Sequence, residues 1–129
     1  MNTMNKKYIS ILFLLFSLSV FADSFDDVAL AIKNSNTKDI IKYFNTTVEL
    51  TILENEGVYS KPQAEVILKN FFSQNSPLNV TVNHRGSSAQ GSKYAIASYD
   101  CAKGKYRVYI FMKESSSGMM IQELRFEKE

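Results

Sequence analysis

The chain has very few of the residues that carry enzyme chemistry or form covalent cross-links. Its 129 residues include one cysteine, one histidine and no tryptophan. A single cysteine excludes an internal disulfide, and a single histidine excludes a multi-histidine metal site. The sequence also has no glycine-rich phosphate loop, no dinucleotide fingerprint, no nucleophile elbow and no cysteine–histidine metal spacing. It therefore predicts no cofactor and no metal, and it names no reaction.

Long apolar runs are equally scarce, and the one that is present lies at the N-terminus. The 13-residue run Ile9–Phe21 follows Lys6 and Lys7 and is interrupted by serines. A membrane-spanning helix needs about 20 apolar residues. Val20 and Ala22 occupy the small-residue positions of a signal peptidase site. The pattern predicts a cleaved signal peptide, and an uncleaved short anchor is the alternative.

Cleavage after Ala22 defines a signal peptide over residues 1–22 and a single domain over residues 23–129, which is 107 of the 129 residues. The leader holds Lys6 and Lys7, so the 15 basic residues fall to 13, against 13 acidic ones. A neutral domain gives no reason to expect nucleic acid as a partner. We expect an exported protein, in the periplasm or outside a Gram-negative bacterium, with no stable membrane span after cleavage.

Three segments have helical patterns. The first begins near Ser24 and the second near Thr37, and both are short. The third, Ser60–Gln74, carries apolar residues at helical spacing, and Ser60 and Gln63 have the spacing of a capping box.

Five segments have strand patterns. The first, Thr47–Leu53, is followed by a predicted turn at Asn55-Glu56-Gly57. The other four are Leu78–Arg85, Lys93–Tyr99, Lys105–Lys113 and Met119–Lys128. Their short connections, rich in glycine and serine, predict an antiparallel meander. The order ααβαββββ predicts an α+β fold, a curved sheet with the helices on one face and a pocket at the open end.

This order resembles the nuclear transport factor 2-like superfamily, also described as cystatin-like, in which a cone of curved sheet is closed by helices. The amino-acid sequence of the domain is similar to that of one branch of this superfamily. The branch is a family of small exported bacterial proteins of Bacteroidota type with a domain of unknown function. The resembling stretches are Asn45–Leu50, Gly57–Glu65, Leu68–Phe72, His84–Ser88, Gly91–Tyr94, Tyr106–Tyr109 and Ile121–Phe126. The resemblance implies the fold and an envelope location, and it implies no activity.

Five residues are candidates for a ligand-binding pocket. Tyr94 and Tyr109 offer an apolar ring with a hydroxyl group. His84 ends a strand, on the predicted face of Val80 and Val82. Arg107 and Glu123 lie on the two C-terminal strands. Half-buried strand tyrosines, a hydrogen bond at a strand end and cross-strand ion pairs are the ordinary alternatives.

Alternation also assigns these strand residues to faces. On one C-terminal strand it places Arg107, Tyr109 and Phe111 together, and on the other it places Glu123 and Arg125 on the face of Ile121. Cys101 falls in a turn-like stretch, which predicts an incidental thiol in a loop. An intermolecular disulfide is the alternative.

Two functions compete. The first is a non-catalytic module of the cell envelope that binds an unknown small molecule or envelope protein, or assembles with a second copy. The resemblance implies that a homodimer would form through the sheet face, as superfamily relatives often pair that way. The alternative is a small isomerase or dehydratase, as some superfamily relatives are, with an acid and a tyrosine in the cone. That enzyme requires Glu49 or Glu123 to face inward beside Tyr94 and His84. Glu49 alternates with apolar neighbours, which predicts that it points away from the helices.

Overall fold

Three α-helices and six strands make up residues 24–129, the part of the chain that the computed structural model describes. The predicted leader lies outside the described residues. The helices are α1 (Ser24–Lys33), α2 (Thr37–Ile41) and α3 (Lys61–Gln74). The strands are β1 (Phe44–Ile52), β2 (Asn55–Ser60), β3 (Pro77–Ser87), β4 (Lys93–Cys101), β5 (Gly104–Ser115) and β6 (Gly118–Lys128). None of the helices in residues 24–129 is both long and apolar enough to cross a membrane.

The strands form a six-stranded sheet in the order β2-β1-β6-β5-β4-β3. Strands β3 to β6 pair antiparallel with their sequence neighbours, which confirms the predicted meander. The first hairpin joins this meander through a parallel pairing of β1 with β6. The helices lie on one side of the sheet, with α1 over β3 and α3 over β1. The predicted α+β class is therefore confirmed.

One strand was not predicted. Asn55-Glu56-Gly57, expected to be a turn, begins β2, and the turn consists of Leu53 and Glu54. Leu53 adopts a left-handed φ of 57°, and its amide donates to the carbonyl of Phe126 over 2.8 Å. Gly57 reads as a turn residue, yet it lies in β2, where it pairs with Leu50. A glycine is needed at this position because the ring of Tyr59 lies over it and leaves no room for a Cβ atom.

Two β-bulges reverse the predicted orientation of strand residues. On β3, Val82 pairs with Ala97 but His84 pairs with Ile96, so His84 lies on the opposite face from Val80 and Val82. The prediction for His84 was wrong because the extra residue, Asn83, shifts the alternation by one position.

The second bulge lies on β6. Ile121 pairs with Met112, but Glu123 pairs with Phe111, which leaves Gln122 as the extra residue. Ile121 is fully buried while Glu123 is not. The prediction that Ile121 shares a face with Glu123 and Arg125 is therefore wrong. Glu123 and Arg125 do lie on the same face as each other.

The capping box predicted for α3 is present. Ser60 is the N-cap, its amide donates to Gln63 Oε1 over 3.1 Å, and its hydroxyl accepts from the amide of Gln63. Pro62 lies in the first turn, where its missing N–H breaks no helical hydrogen bond. The cap fixes where the helix starts, and therefore which of its faces meets the sheet.

The core lies between α3 and the helix-facing side of the sheet. Neighbouring rings in this aromatic cluster have centroids 4.9 to 6.4 Å apart at tilted, stacked and edge-on angles. The cluster consists of Phe71, Phe72, Tyr99, Tyr106 and Phe126, all buried. These rings fill the interior of the cone where the sequence allowed for a pocket.

A buried polar contact, the Asn75 junction, fastens the end of α3 to the sheet. Asn75 is 7% exposed and follows the last residue of the helix. Its carbonyl accepts from the hydroxyl of Tyr99 on β4, and its Oδ1 accepts from the hydroxyl of Tyr106 on β5 over 3.1 Å. Its Nδ2 donates to the carbonyl of Phe71 over 3.2 Å. One side chain thus satisfies both the helix end and a sheet tyrosine.

Burial, with smaller contributions from Cys101 and Tyr106, raises the pKa of Tyr99 well above its usual value of 10.0. The hydroxyl therefore stays protonated and remains a donor in the folded state. Because the unfolded chain loses this proton near pH 10, the stability that depends on it is complete below that pH. It is lost as the pH rises above 10 towards the higher pKa of the folded state.

The Asn75 junction predicts a large cost for a small substitution. We expect Asn75→Ala to lower the free energy of unfolding by about 2 kcal/mol, because the hydroxyl of Tyr106 is left buried without its acceptor. Urea denaturation of the wild type and the variant measures this. Asn70→Ala, an exposed change on the same helix, is the control and should stay within about 0.5 kcal/mol of the wild type. Equal effects of the two substitutions would contradict the role of the junction.

Candidate functional site

All five candidate residues lie on one surface, the side of the sheet that faces away from the helices, which we call the open face. Tyr94 and His84 reach it from β4 and β3, Arg107 and Tyr109 from β5, and Glu123 from β6. No element of residues 24–129 covers this surface. The structure therefore brings the five residues to one face of the sheet, and none of them lines the interior of the cone.

Two adjacent rows of side chains cross the open face from edge to edge. Register pairing places His84, Ile96, Tyr109, Arg125, Thr51 and Glu56 in the first row. It places Gly86, Tyr94, Phe111, Glu123, Glu49 and Val58 in the second. Each row passes from apolar and aromatic groups at the centre to polar or charged groups beside them. A surface of this composition suits non-covalent contact with a partner.

Tyr94 lies flat against the sheet. A Cβ atom on Gly86 would come within 2.4 Å of its ring, so the missing side chain at Gly86 makes room for the tyrosine. Tyr94 also stacks on Tyr109, with ring centroids 6.3 Å apart and an angle of 27° between the planes. The two rings form one continuous apolar strip across β4 and β5.

Arg125 connects this aromatic strip to the acidic residues of β6. Its guanidinium carbon lies 4.7 Å from the centroid of the Tyr109 ring, in cation–π geometry. Its Nε lies 3.3 Å from Glu123 Oε2 without the alignment of a hydrogen bond, and its Nη1 lies 3.5 Å from Glu127 Oε1. These partly exposed contacts hold the guanidinium in place more than they stabilise the fold.

Arg107 and His84 lie at the margins of the strip, Arg107 two residues from Tyr109 on β5 and His84 on the edge strand β3. Arg107 pairs in register with Glu127 on β6. His84 pairs in register with Ile96, and it is exposed near the edge of the sheet. The open face thus presents both signs of charge around a tyrosine-rich centre.

Sequence reasoning missed the central position of Arg125. The residue alternates with Glu123 and Glu127, a pattern that signals a charged strand face, yet alternation does not show which ring lies beneath the guanidinium. Alternation had already placed Phe111 on the face of Arg107 and Tyr109, but the contributions of Ile96 and Tyr94 beside them were not tied to that face. Their place on the open face follows from the register of β3, β4 and β5 and not from any local motif.

The residues of the enzymatic alternative do not meet in the cone. Glu49 pairs with Glu123 on the open face, as its alternation predicted, and Tyr94 and His84 lie on the same face. An acid and a tyrosine working in an apolar cavity require burial that these residues do not have. Within residues 24–129 there is also no group of three or more acidic, histidine or cysteine side chains placed to hold a metal ion.

The architecture defines the class of protein. A structure with a cystatin-like fold from Nostoc punctiforme matches with a TM-score of 0.64 at 8% identity, covering 81% of this chain and 72% of that one. A structure with NTF2 in its name matches with a TM-score of 0.60 at 5% identity, covering 78% of this chain and 90% of that one. At these identities the likeness shows the fold alone, which is the nuclear transport factor 2-like and cystatin-like fold expected from the sequence.

The family follows from closer matches. The model of the domain of unknown function DUF4783 matches residues 25–127, and the chain therefore belongs to that family. A DUF4783 protein from Bacteroides uniformis is 28% identical with a TM-score of 0.75, covering 81% of this chain and 95% of that one. One from Bacteroides fragilis is 27% identical with a TM-score of 0.74, covering 80% and 96%. The expected family is confirmed. Comparison with curated proteins gave no match.

Cys101 does not lie in a loop, as the sequence predicted. It is the last residue of β4, it pairs with Pro77 and Gly104, and it is 8% exposed. Its side chain shares the helix-facing side with that of Tyr99, two residues before it. A disulfide between two molecules would require this end of the sheet to open.

We expect the thiol of Cys101 to react with an aromatic disulfide reagent at least roughly a hundredfold more slowly in the native protein than in urea, because reaction requires local opening. The release of the coloured thiolate measures the rate. The control combines Cys101→Ala with Lys103→Cys, which moves the thiol to the neighbouring exposed turn and should react at once. Rapid native labelling of Cys101, or a disulfide-linked dimer on a non-reducing gel, would show that the thiol is accessible.

Proposed function

We propose that the protein is an exported, non-catalytic assembly module of the cell envelope, which works through the open face of its sheet. The observation that carries the proposal is the pair of rows across that face. The rows place Ile96, Tyr109 and Phe111 at the surface beside charges of both signs. These three side chains are half-buried, and Val58 at the end of the second row is 65% exposed. Apolar groups rimmed by polar residues are typical of interaction sites.

The partner that this face fits best is a second copy of the same chain. Beside the strip, β5 and β6 carry Arg107 and Arg125 together with Glu123 and Glu127, so a second copy turned about a twofold axis can meet this face with charges of the opposite sign. The proposed mature domain carries 13 basic and 13 acidic residues, so long-range repulsion does not oppose pairing. The aromatic strip would form the buried centre and the ion pairs the rim.

Export rests on the leader. The basic residues Lys6 and Lys7, the apolar run and the small residues before Asp23 together support cleavage by signal peptidase. The match to the family begins at residue 25, just beyond the proposed cleavage point. The domain would then fold and pair in the periplasm or outside the cell.

The first prediction of this proposal concerns assembly. The exported protein should elute as a dimer when light scattering is measured during size-exclusion chromatography, and Phe111→Lys should make it monomeric. The new lysine can pair with Glu123 across β5 and β6 in the monomer, but it places a charge in the centre of the dimer interface.

The control for this prediction is Leu30→Lys. Leu30 is 57% exposed on α1, on the other side of the molecule, so its substitution should leave the dimer intact. Circular dichroism of both variants checks that they are folded. A wild type that stays monomeric up to millimolar concentration would refute the assembly proposal.

The second prediction concerns export. Protein isolated from the periplasmic fraction should begin at Asp23 when its intact mass is measured. Ala22→Glu should block processing, because signal peptidase requires a small residue at this position. Full-length protein in the cytoplasm would contradict export, and full-length protein in the membrane fraction would favour the uncleaved anchor.

A further inference from the structure

A second surface lies on the helix side of the molecule, away from the open face. It is a cleft of about 350 Å³ between α3 and the β1–β2 hairpin. Ile52, Leu53 and Ile67 line it with apolar surface, and Asn55, Asn70 and Gln74 place amide groups in it. We call it the amide cleft. It lies beside the aromatic cluster, and Phe71, a member of that cluster, lines part of it.

The charge of the lining restricts what the amide cleft can hold. It is lined by no lysine, arginine, histidine, aspartate or glutamate from residues 24–129. An anion would find no cation to pair with, and a cation would find no carboxylate, so a charged ligand would lose its hydration without compensation. The lining therefore selects an uncharged ligand.

The amides have hydrogen-bonding capacity to spare. The side chains of Asn55, Asn70 and Gln74 make no hydrogen bond to any group in residues 24–129. Asn75, at the base of the cleft, is already committed to the Asn75 junction. Each free amide offers a carbonyl acceptor and an NH₂ donor. A ligand that matches them must both donate and accept at several positions, as vicinal hydroxyl groups do.

Leu53, in the two-residue turn of the β1–β2 hairpin, supplies exposed apolar surface at the rim of the cleft. It occupies the left-handed region at φ 57°, where glycine or asparagine costs least, and its apolar side chain is 40% exposed. A leucine at this position is unfavourable in two ways: its backbone is in a region that leucine rarely adopts, and its apolar side chain is exposed to water. Its side chain lines the rim of the cleft, so a bound apolar group would cover it. Strained residues of this kind concentrate at ligand sites.

The size of the cleft points to a single small ring. At roughly 30 Å³ for each water molecule, its volume corresponds to about a dozen waters. A pyranose sugar, with twelve non-hydrogen atoms, takes the place of about half that number, so the cleft has room for one ring and the water around it. Its C–H faces would contact the apolar residues of the cleft, and its hydroxyls would meet the three amides.

Flat aromatic ligands fit less well. Phe71 is 4% exposed, and one side of the Tyr59 ring is taken up by Gly57, so the cleft offers no pair of rings between which a flat ligand could stack. A simple alkyl chain would leave the amides dehydrated without partners. We propose that the amide cleft binds a small, uncharged, polyhydroxylated molecule of the size of one pyranose unit. This proposal is independent of pairing through the open face, because the two surfaces share no residue.

Saturation-transfer NMR on the purified exported protein tests this proposal. The probes are glucose, galactose, mannose and N-acetylglucosamine, with glucuronate, glucosamine and hexanol for comparison. At least one neutral sugar should bind with a dissociation constant of roughly millimolar strength, since a ligand of this size makes few contacts. The two charged sugars should bind at least about tenfold more weakly because their charge finds no partner in the cleft. Hexanol should also bind at least about tenfold more weakly because it leaves the amide groups without hydrogen-bond partners.

Variants locate the binding. Gln74→Leu and Asn70→Leu keep the bulk and favour the helix, and each should weaken sugar binding about tenfold. Lys69→Leu is the matched control. It adds a leucine to the solvent side of the same helix and breaks only the exposed pair with Glu65, so binding should not change.

The other outcomes overturn the proposal. These are no binding by any neutral sugar at 10 mM, binding that Gln74→Leu leaves unchanged, or a preference for a charged sugar or hexanol. Titrations with the monomeric Phe111→Lys variant separate this result from that of the assembly proposal. The cleft should bind the same sugar with the same strength whether or not the protein pairs.

Discussion

The fold depends on how the end of α3 is held against the sheet. Asn75 accepts hydroxyl hydrogen bonds from Tyr99 and Tyr106, which lie on two adjacent strands, and it donates back to the last turn of its own helix. These contacts are buried, so each is costly to leave unmade. They also fix the depth at which Phe71 and Phe72 enter the core. Because the rings then fill the cone, the surfaces left for function are the outer side of the sheet and the cleft beside α3.

The two sides of the sheet therefore differ in role: one side forms the core, and the other remains exposed to solvent. On the inner side, the apolar residues and rings of β1, β4, β5 and β6 are buried. On the outer side, the same strands display a strip of rings with Arg125 lying over Tyr109 and acids next to it. An arrangement of this kind is poorly suited to activating a proton or a nucleophile, since none of its charges is deeply buried. It is well suited to recognising a surface of matching shape and charge.

Much of this could be predicted from the sequence, since the elements follow from local patterns. The capping box of Ser60 and Gln63 correctly predicted the start of α3. Alternation correctly predicted the meander and the outward direction of Glu49. The errors come from single extra residues. Asn83 and Gln122 each shift the alternation by one position, which reversed the faces of His84 and Ile121. The hairpin at Leu53 was missed because a leucine gives no turn signal. The amide cleft was missed because β1, β2 and α3 must pack before its residues meet.

The parallel pairing of β1 with β6 has a consequence for how the chain reaches its native state. The hairpin of β1 and β2 lies early in the sequence, yet its neighbour in the sheet is the last strand, Gly118–Lys128. Until that strand is available, β1 has an unpaired edge and the helix side of the sheet is incomplete. Contacts between such distant segments slow folding. A chain with this connectivity completes its sheet only after Gly118–Lys128 has been synthesised, so the early hairpin waits for the strand that becomes its neighbour.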